Sequence, residues 1–239
     1  MRYIGKLFKG EMQRMIKYKL FHASLATAFI WIALFLLLSK EEAAKIAPLL
    51  IFVDVSLMSI ILIGASHHFE KQEGTIKTMM IMPVSLTEIL LAKFFSSLVL
   101  GIESAAITSA ALYFIHGIKF NYPALFIAVV LSGVVHSAIA FLLALNSKEF
   151  TSTLGLLMAY VIPFQLPTML FAFDIIDDKF DWLLMLSPSH TASSLISFAV
   201  RNEYDARKMI IGCIYLVILS AVLLRFFVFP RFKNNAVRG

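Results

Sequence analysis

Six apolar stretches, each near the length that crosses a bilayer, leave this chain little choice of fold. They cover about residues 20–39, 47–66, 89–114, 124–145, 151–172 and 209–229. A span needs about 20 mostly apolar residues to cross a hydrocarbon layer of roughly 30 Å. A backbone in lipid must satisfy its own hydrogen bonds, so each stretch is expected to be helix. A membrane barrel would alternate polar and apolar residues, and these stretches do not. The expected fold is an all-α integral membrane protein with six transmembrane helices, one domain over residues 1–239. Composition agrees: 60% of residues are hydrophobic and 15% charged, against about 45–50% and 25% in soluble domains. No cleaved leader is expected, because the first apolar stretch is long enough to span. Cys213 is the single cysteine, so no internal disulfide forms.

Basic residues set the orientation. Six spans place both termini on one side, and that side collects fourteen of the 21 Lys and Arg residues. The positive-inside rule puts both termini in the cytoplasm. The excess of basic over acidic residues therefore reports topology and gives no reason to expect nucleic acid. The arm over residues 1–19 carries Ile4, Leu7, Phe8, Met12, Met15 and Ile16 near helical spacing, with Lys and Arg between them. It reads as an amphipathic helix on the inner membrane surface; a plain basic flank is the alternative. Pro163 and Pro167 are expected to break the outer end of the fifth span. The short apolar pieces "WLLML" and "HTASSLISFAV" before the sixth span are too short to cross and are expected to be re-entrant or interfacial helices.

Between the second and third spans the chain reads "EKQEGTIKTMMIMPVSLTEILLAK". Ile76, Met79 and Met80 lie at i, i+3 and i+4, so a short helix with a Met-rich face is expected there. Pro83 stops it. Ser85 and Glu88 have capping-box spacing and start the next helix. A flexible, polarizable Met face suits docking to another protein; lying on lipid headgroups is the other reading.

The run Glu73-Gly74-Thr75, with Pro83, Ser85, Glu88 and Lys93 after it, resembles the loop between the second and third helices of ABC-2 type exporter permeases. The layout of amphipathic arm, six spans and broken helices before the last span is similar to that family too. "LSPSHTASSLISFAV" adds a weaker likeness to its small multidrug-type members. The resemblance implies a cytoplasmic coupling helix, with Glu70, Glu73, Gly74, Thr75, Ile76, Met79, Met80 and Pro83 docking on a dimer of ABC ATP-binding subunits. ATP and Mg would then sit on that partner; the chain itself has no phosphate-cradling Gly-x-x-x-x-Gly-Lys-Ser/Thr loop. The resemblance further implies a bacterial plasma-membrane location and a second permease chain, identical or different. It also implies outward movement of a small molecule, drug, peptide or lipid-like substrate. A membrane sensor or immunity protein on the same scaffold is the alternative function, with an ion-coupled transporter third.

Asp54, Glu103 and His136 fall within the second, third and fourth spans, away from their ends. Charge near the bilayer centre costs about 2.5–3.5 kcal/mol on insertion scales. Glu103 and His136 stand at similar depth on consecutive spans, where they would pair or line a wet pathway; Asp54 stands in the outer half. The alternative is a packing role for a protonated Glu103. In the third span Ser97, Gly101, Ala105 and Ser109 recur every fourth residue, a stripe that permits close helix packing. Glu103 points about 200° from Gly101, so this span is expected to be central. Enzyme readings are weak. "HHFEKQE" lacks the His-Glu-x-x-His spacing of a zinc protease. "EEAAK" at 41–45 partly matches an intramembrane protease element, but with Lys for Arg and in an expected outer loop. The outer aspartates lack a tight metal-ligand set. No catalytic or metal-binding residue is assigned.

Overall fold

The computed structural model describes residues 3–201 and 205–238, without the side chains of residues 76, 77, 80 and 235–238. All regular structure among them is helical. Six helices are long and apolar enough to cross a membrane. The amphipathic arm is α1 (Ile4–Lys17), and Lys19, in the left-handed region at φ 60°, turns the chain into α2 (Leu20–Leu37).

Helix α3 (Lys40–Gln72) is one span of 33 residues. It overruns its apolar stretch at both ends. Ser39 and Glu42 form a capping box that starts it early, satisfying two of the free N–H groups of the first turn. The segment 41–45, expected in a loop, is therefore helix. At Asp54–Met58 the helix loosens into a π turn. Helix α4 (Thr75–Ile81) follows, then α5 (Leu86–His116), which opens on the expected Ser85–Glu88 capping box. Helix α6 (Tyr122–Leu145) is capped by Asn121.

Helix α7 (Phe150–Ala172) departs from expectation. Pro163 falls within a second π turn, Val161–Gln165, and Pro167 sits in the first turn of the helix that continues from it. A widened turn absorbs the missing proline N–H, so the helix runs on instead of breaking. The break lies further along. Helices α8 (Asp178–Leu184) and α9 (Pro188–Arg201) meet at 118°, the geometry of a re-entrant or broken span. Helix α10 runs from Ala206–Val222 through a third π turn, Leu223–Val228, into Phe229–Arg238.

Helices α3 and α6 form the core, each with 67% of its apolar window buried. Helix α5, expected to be central, is 39% buried. Its small stripe does face inward, with Gly101 3.5 Å from Val55 for a Cβ placed there and the Ser97 hydroxyl 2.9 Å from that of Ser137 on α6. Its other side leaves Phe114 exposed. Helix α6 carries small residues all round, including Ser132, Gly133, Ser137, Ala138, Ala140 and Ala144, all buried. Neighbours can therefore approach it from every side. A Cβ on Gly133 would stand 2.7 Å from Leu98 Cδ2. Helices α2, α7 and α10 are only 17–22% buried and present apolar side chains outward.

Candidate functional site

The two ends of the bundle are built differently. At the α4 end, four ionisable side chains converge from three helices: Glu11 and Arg14 of α1, Glu70 of α3 and Lys93 of α5. Lys93 Nζ lies 2.5 Å from both Glu70 oxygens and 3.2 Å from Glu11. Arg14 donates to Glu11 and lies 3.5 Å from Glu70. Glu70 is 0% exposed, Glu11 2% and Lys93 6%. Two acids and two bases balance, and this is the condition under which ions tolerate burial.

This arrangement revises one expectation. Glu70 was expected on a docking surface; it is sealed inside, where it ties α3 to α5. The arm is the expected amphipathic helix, and its Leu7, Glu11 and Met15, spaced four apart, face the protein. Glu11 is the only acid in an arm of basic residues, and it falls on the apolar face. That misplaced acid was the available signal for a buried partner.

The loop itself is strapped down. Lys17 donates to Glu73 Oε1 at 2.9 Å, and the Tyr18 hydroxyl donates to Glu73 Oε2 at 2.7 Å. These donors, Lys17 first, hold the Glu73 carboxyl below its ordinary range, while burial and the same carboxylate push the Tyr18 phenol up. Gly74, at φ 69°, reverses the chain between α3 and α4. Open space surrounds it, so glycine is needed there for the dihedral and not for room. Thr75 opens α4 half-buried. Met79 is buried beside Arg14, so this methionine faces inward. Ile76 and Met80 have side chains outside the described set. The last segment of α10 also packs on α4. The tip is exposed and apolar: Ile81 at 86%, Met82 at 43% and Pro83.

Inside the spans, of the two arrangements read for Glu103 and His136, pairing is not made. Glu103 accepts from Ser24 at 3.0 Å. His136 lies fully buried against Phe52, with the Ser132 carbonyl 2.8 Å from Nδ1 and the Tyr160 hydroxyl 3.2 Å from Nε2. Similar depth did not mean a shared direction. Asp54 sits in the π turn of α3 and accepts from Ser104. Of the stripe residues, Ser97 and Gly101 pack within the chain, while Ala105 and Ser109 line a gap between α5 and α6.

The α9 end opens into a cavity of about 480 Å³. Its wall carries Asp181, which pairs with His190 Nε2 at 2.8 Å and with Lys208. Lys208 also stands 5.5 Å from the Trp182 ring centre. At the rim Lys45 pairs with Asp174 at 2.8 Å and holds that carboxyl below its ordinary range. Asp181 is thus a junction between α8, α9 and α10. Among the described residues no cluster of three or more His, Cys, Asp or Glu has metal-binding geometry.

Comparison with known proteins places this architecture. Residues 39–229 match the family described as ABC-2 family transporter protein. The chain is also similar to fluoroquinolones export permease proteins from two strains of Mycobacterium tuberculosis, at 25% identity over 153 residues in each case. The match covers 64% of this chain and 62% of each relative's length.

Proposed function

The chain belongs to the ABC-2 family of transporter proteins, and from that membership we propose that it is the membrane subunit of an ATP-driven exporter. A multi-pass permease of this family is the membrane part of a transporter and not its ATPase. The finer reading is that α4 is the coupling helix, facing the cytoplasm with both termini, and that a dimer of ATP-binding subunits docks on it. ATP and Mg belong to that partner. A second permease chain, identical or related, completes the pathway, with the apolar outer faces of α2, α7 and α10 against it or against lipid.

The observation that carries this reading is the mounting of α4. Its apolar tip, Ile81 and Met82, projects outward, while its base packs on α1, α3 and α10. A contact made at the tip is thereby connected to three membrane-associated elements at once. The substrate class we infer is a drug-sized amphiphile. The mycobacterial relatives export fluoroquinolones by name, and a cavity near 480 Å³ falls within the roughly 300–1,000 Å³ of small-molecule sites.

The test is to co-express the tagged chain with its native ATPase and compare wild type with Ile81→Asp. Ile81 is exposed, so the variant should stay within about 0.5 kcal/mol of wild-type stability. It should lose the co-purifying ATPase and drug-stimulated hydrolysis. Wild-type recovery of the ATPase by Ile81→Asp would overturn the docking assignment. Absence of any ATPase from the wild-type chain would favour a sensor or immunity protein.

A further inference from the structure

A small pocket lies deep among α2, α3 and α5, beside the π turn of α3. Its volume is about 10 Å³, room for about one water-sized guest. The polar wall consists of the Asp54 carboxylate and the hydroxyls of Ser24, Ser59, Ser97 and Ser104. All five side chains are at least 95% buried.

The hydrogen-bond directions matter more than the list. Each hydroxyl has an acceptor for its proton, and only that of Ser104 is on the wall itself. Ser24 donates to Glu103, Ser59 to the Val55 carbonyl at 2.5 Å, Ser97 to the Phe94 carbonyl at 2.8 Å, and Ser104 to Asp54 Oδ2. What these oxygens have left is lone pairs. Asp54 Oδ1 is fully enclosed and has no hydrogen-bond partner, and so is Glu103 Oε1 just outside the wall. The Trp31 indole N–H acts on the Asp54 carboxylate but completes no hydrogen bond. No Lys, Arg or His lines the pocket. The wall is thus an acceptor set with no Lys, Arg or His to balance an ionised Asp54, in a region where an unpaired carboxylate is expensive.

We propose that this pocket binds one dehydrated monovalent cation of the sodium class, held by Asp54 and the four serine hydroxyls, which ties α2, α3 and α5 together within the membrane. A divalent ion fits less well. Calcium takes six to eight oxygens, and magnesium keeps several waters for which there is no room. The widened turn at Asp54–Met58 contributes by breaking the regular helical spacing between Asp54 and Ser59, so that both reach one point.

The test needs neither ATPase nor substrate, so its outcome is separate from that of the export reading. The full chain is purified in detergent, and binding of radioactive sodium is measured at constant ionic strength with choline as the inert cation. Wild type should bind saturably, near one ion per chain, and lithium but not choline should compete. Asp54→Asn should abolish binding. Ser104→Ala and Ser59→Ala should each weaken it roughly tenfold, equivalent to about 1.4 kcal/mol. The serine variants carry the test if Asp54→Asn fails to insert. Absence of saturable binding, or binding unchanged in both serine variants, would overturn the proposal and leave the pocket to a water or to a protonated Asp54.

Discussion

The two ends of the molecule hold similar charges in opposite ways. At the α4 end Glu11, Arg14, Glu70 and Lys93 are packed into a joint, with a gap of about 10 Å³ beside Glu11 and Lys93. At the α9 end Asp181, His190 and Lys208 stand on the wall of a cavity of about 480 Å³. Charges sealed from water must be matched among themselves, and matching fixes the helices that carry them. Charges facing a cavity can exchange partners with whatever enters. The first end is constructed to hold its shape under load, the second to receive something.

Mutations should separate the ends by size of effect. The largest belongs to the joint. Glu70→Ala leaves Lys93 buried without its nearest partner and should cost about 3–5 kcal/mol, read as a lowered unfolding midpoint in detergent. Replacing both, as Glu70→Leu with Lys93→Met, leaves the Glu11–Arg14 pair intact and should recover most of that loss. Failure of the double variant to recover would mean that the joint acts through more than charge balance. At the cavity, Asp181→Asn should cost less, about 1–3 kcal/mol, because Lys208 can turn to water. An equal loss at both sites would erase the contrast.

The smallest effects sharpen the comparison from the other side, since each end also has an exposed ion pair. Glu73 and Asp174 both titrate below their ordinary values because Lys17 and Lys45 pair with them. A depressed carboxyl contributes stability that is fully present above its unfolded pKa, near 4. That contribution is lost as pH falls through the folded value. Midpoints of Glu73→Gln and Asp174→Asn should therefore lie slightly below wild type at neutral pH and merge with it in strong acid. High salt should shrink both differences.

Much of the fold was legible because it is local. The six spans follow from apolar length, and the Ser85–Glu88 cap from a three-residue spacing. The joint was less legible: Glu11 and Lys93 are 82 residues apart, and nothing near either one names the other. Glu70 was misplaced because its position in a motif gave its neighbourhood but not its direction. Glu103 and His136 failed to meet for the same reason, since depth along a span leaves rotation about its axis undetermined. The prolines of α7 misled because the rule that proline ends a helix assumes a regular turn, and the turn there is wide.

Those wide turns have a consequence for how the chain can change. A π turn accommodates one residue more than the α-helix around it, and one residue is about 100° of rotation. The three spans that carry such turns each change phase partway along. Losing a single codon at Asp54–Met58, Val161–Gln165 or Leu223–Val228 would leave a smoother helix and alter the composition by one residue. Every side chain on one side of the deletion would then face a new neighbour. In these three spans the message resides in the count of residues as much as in their kind.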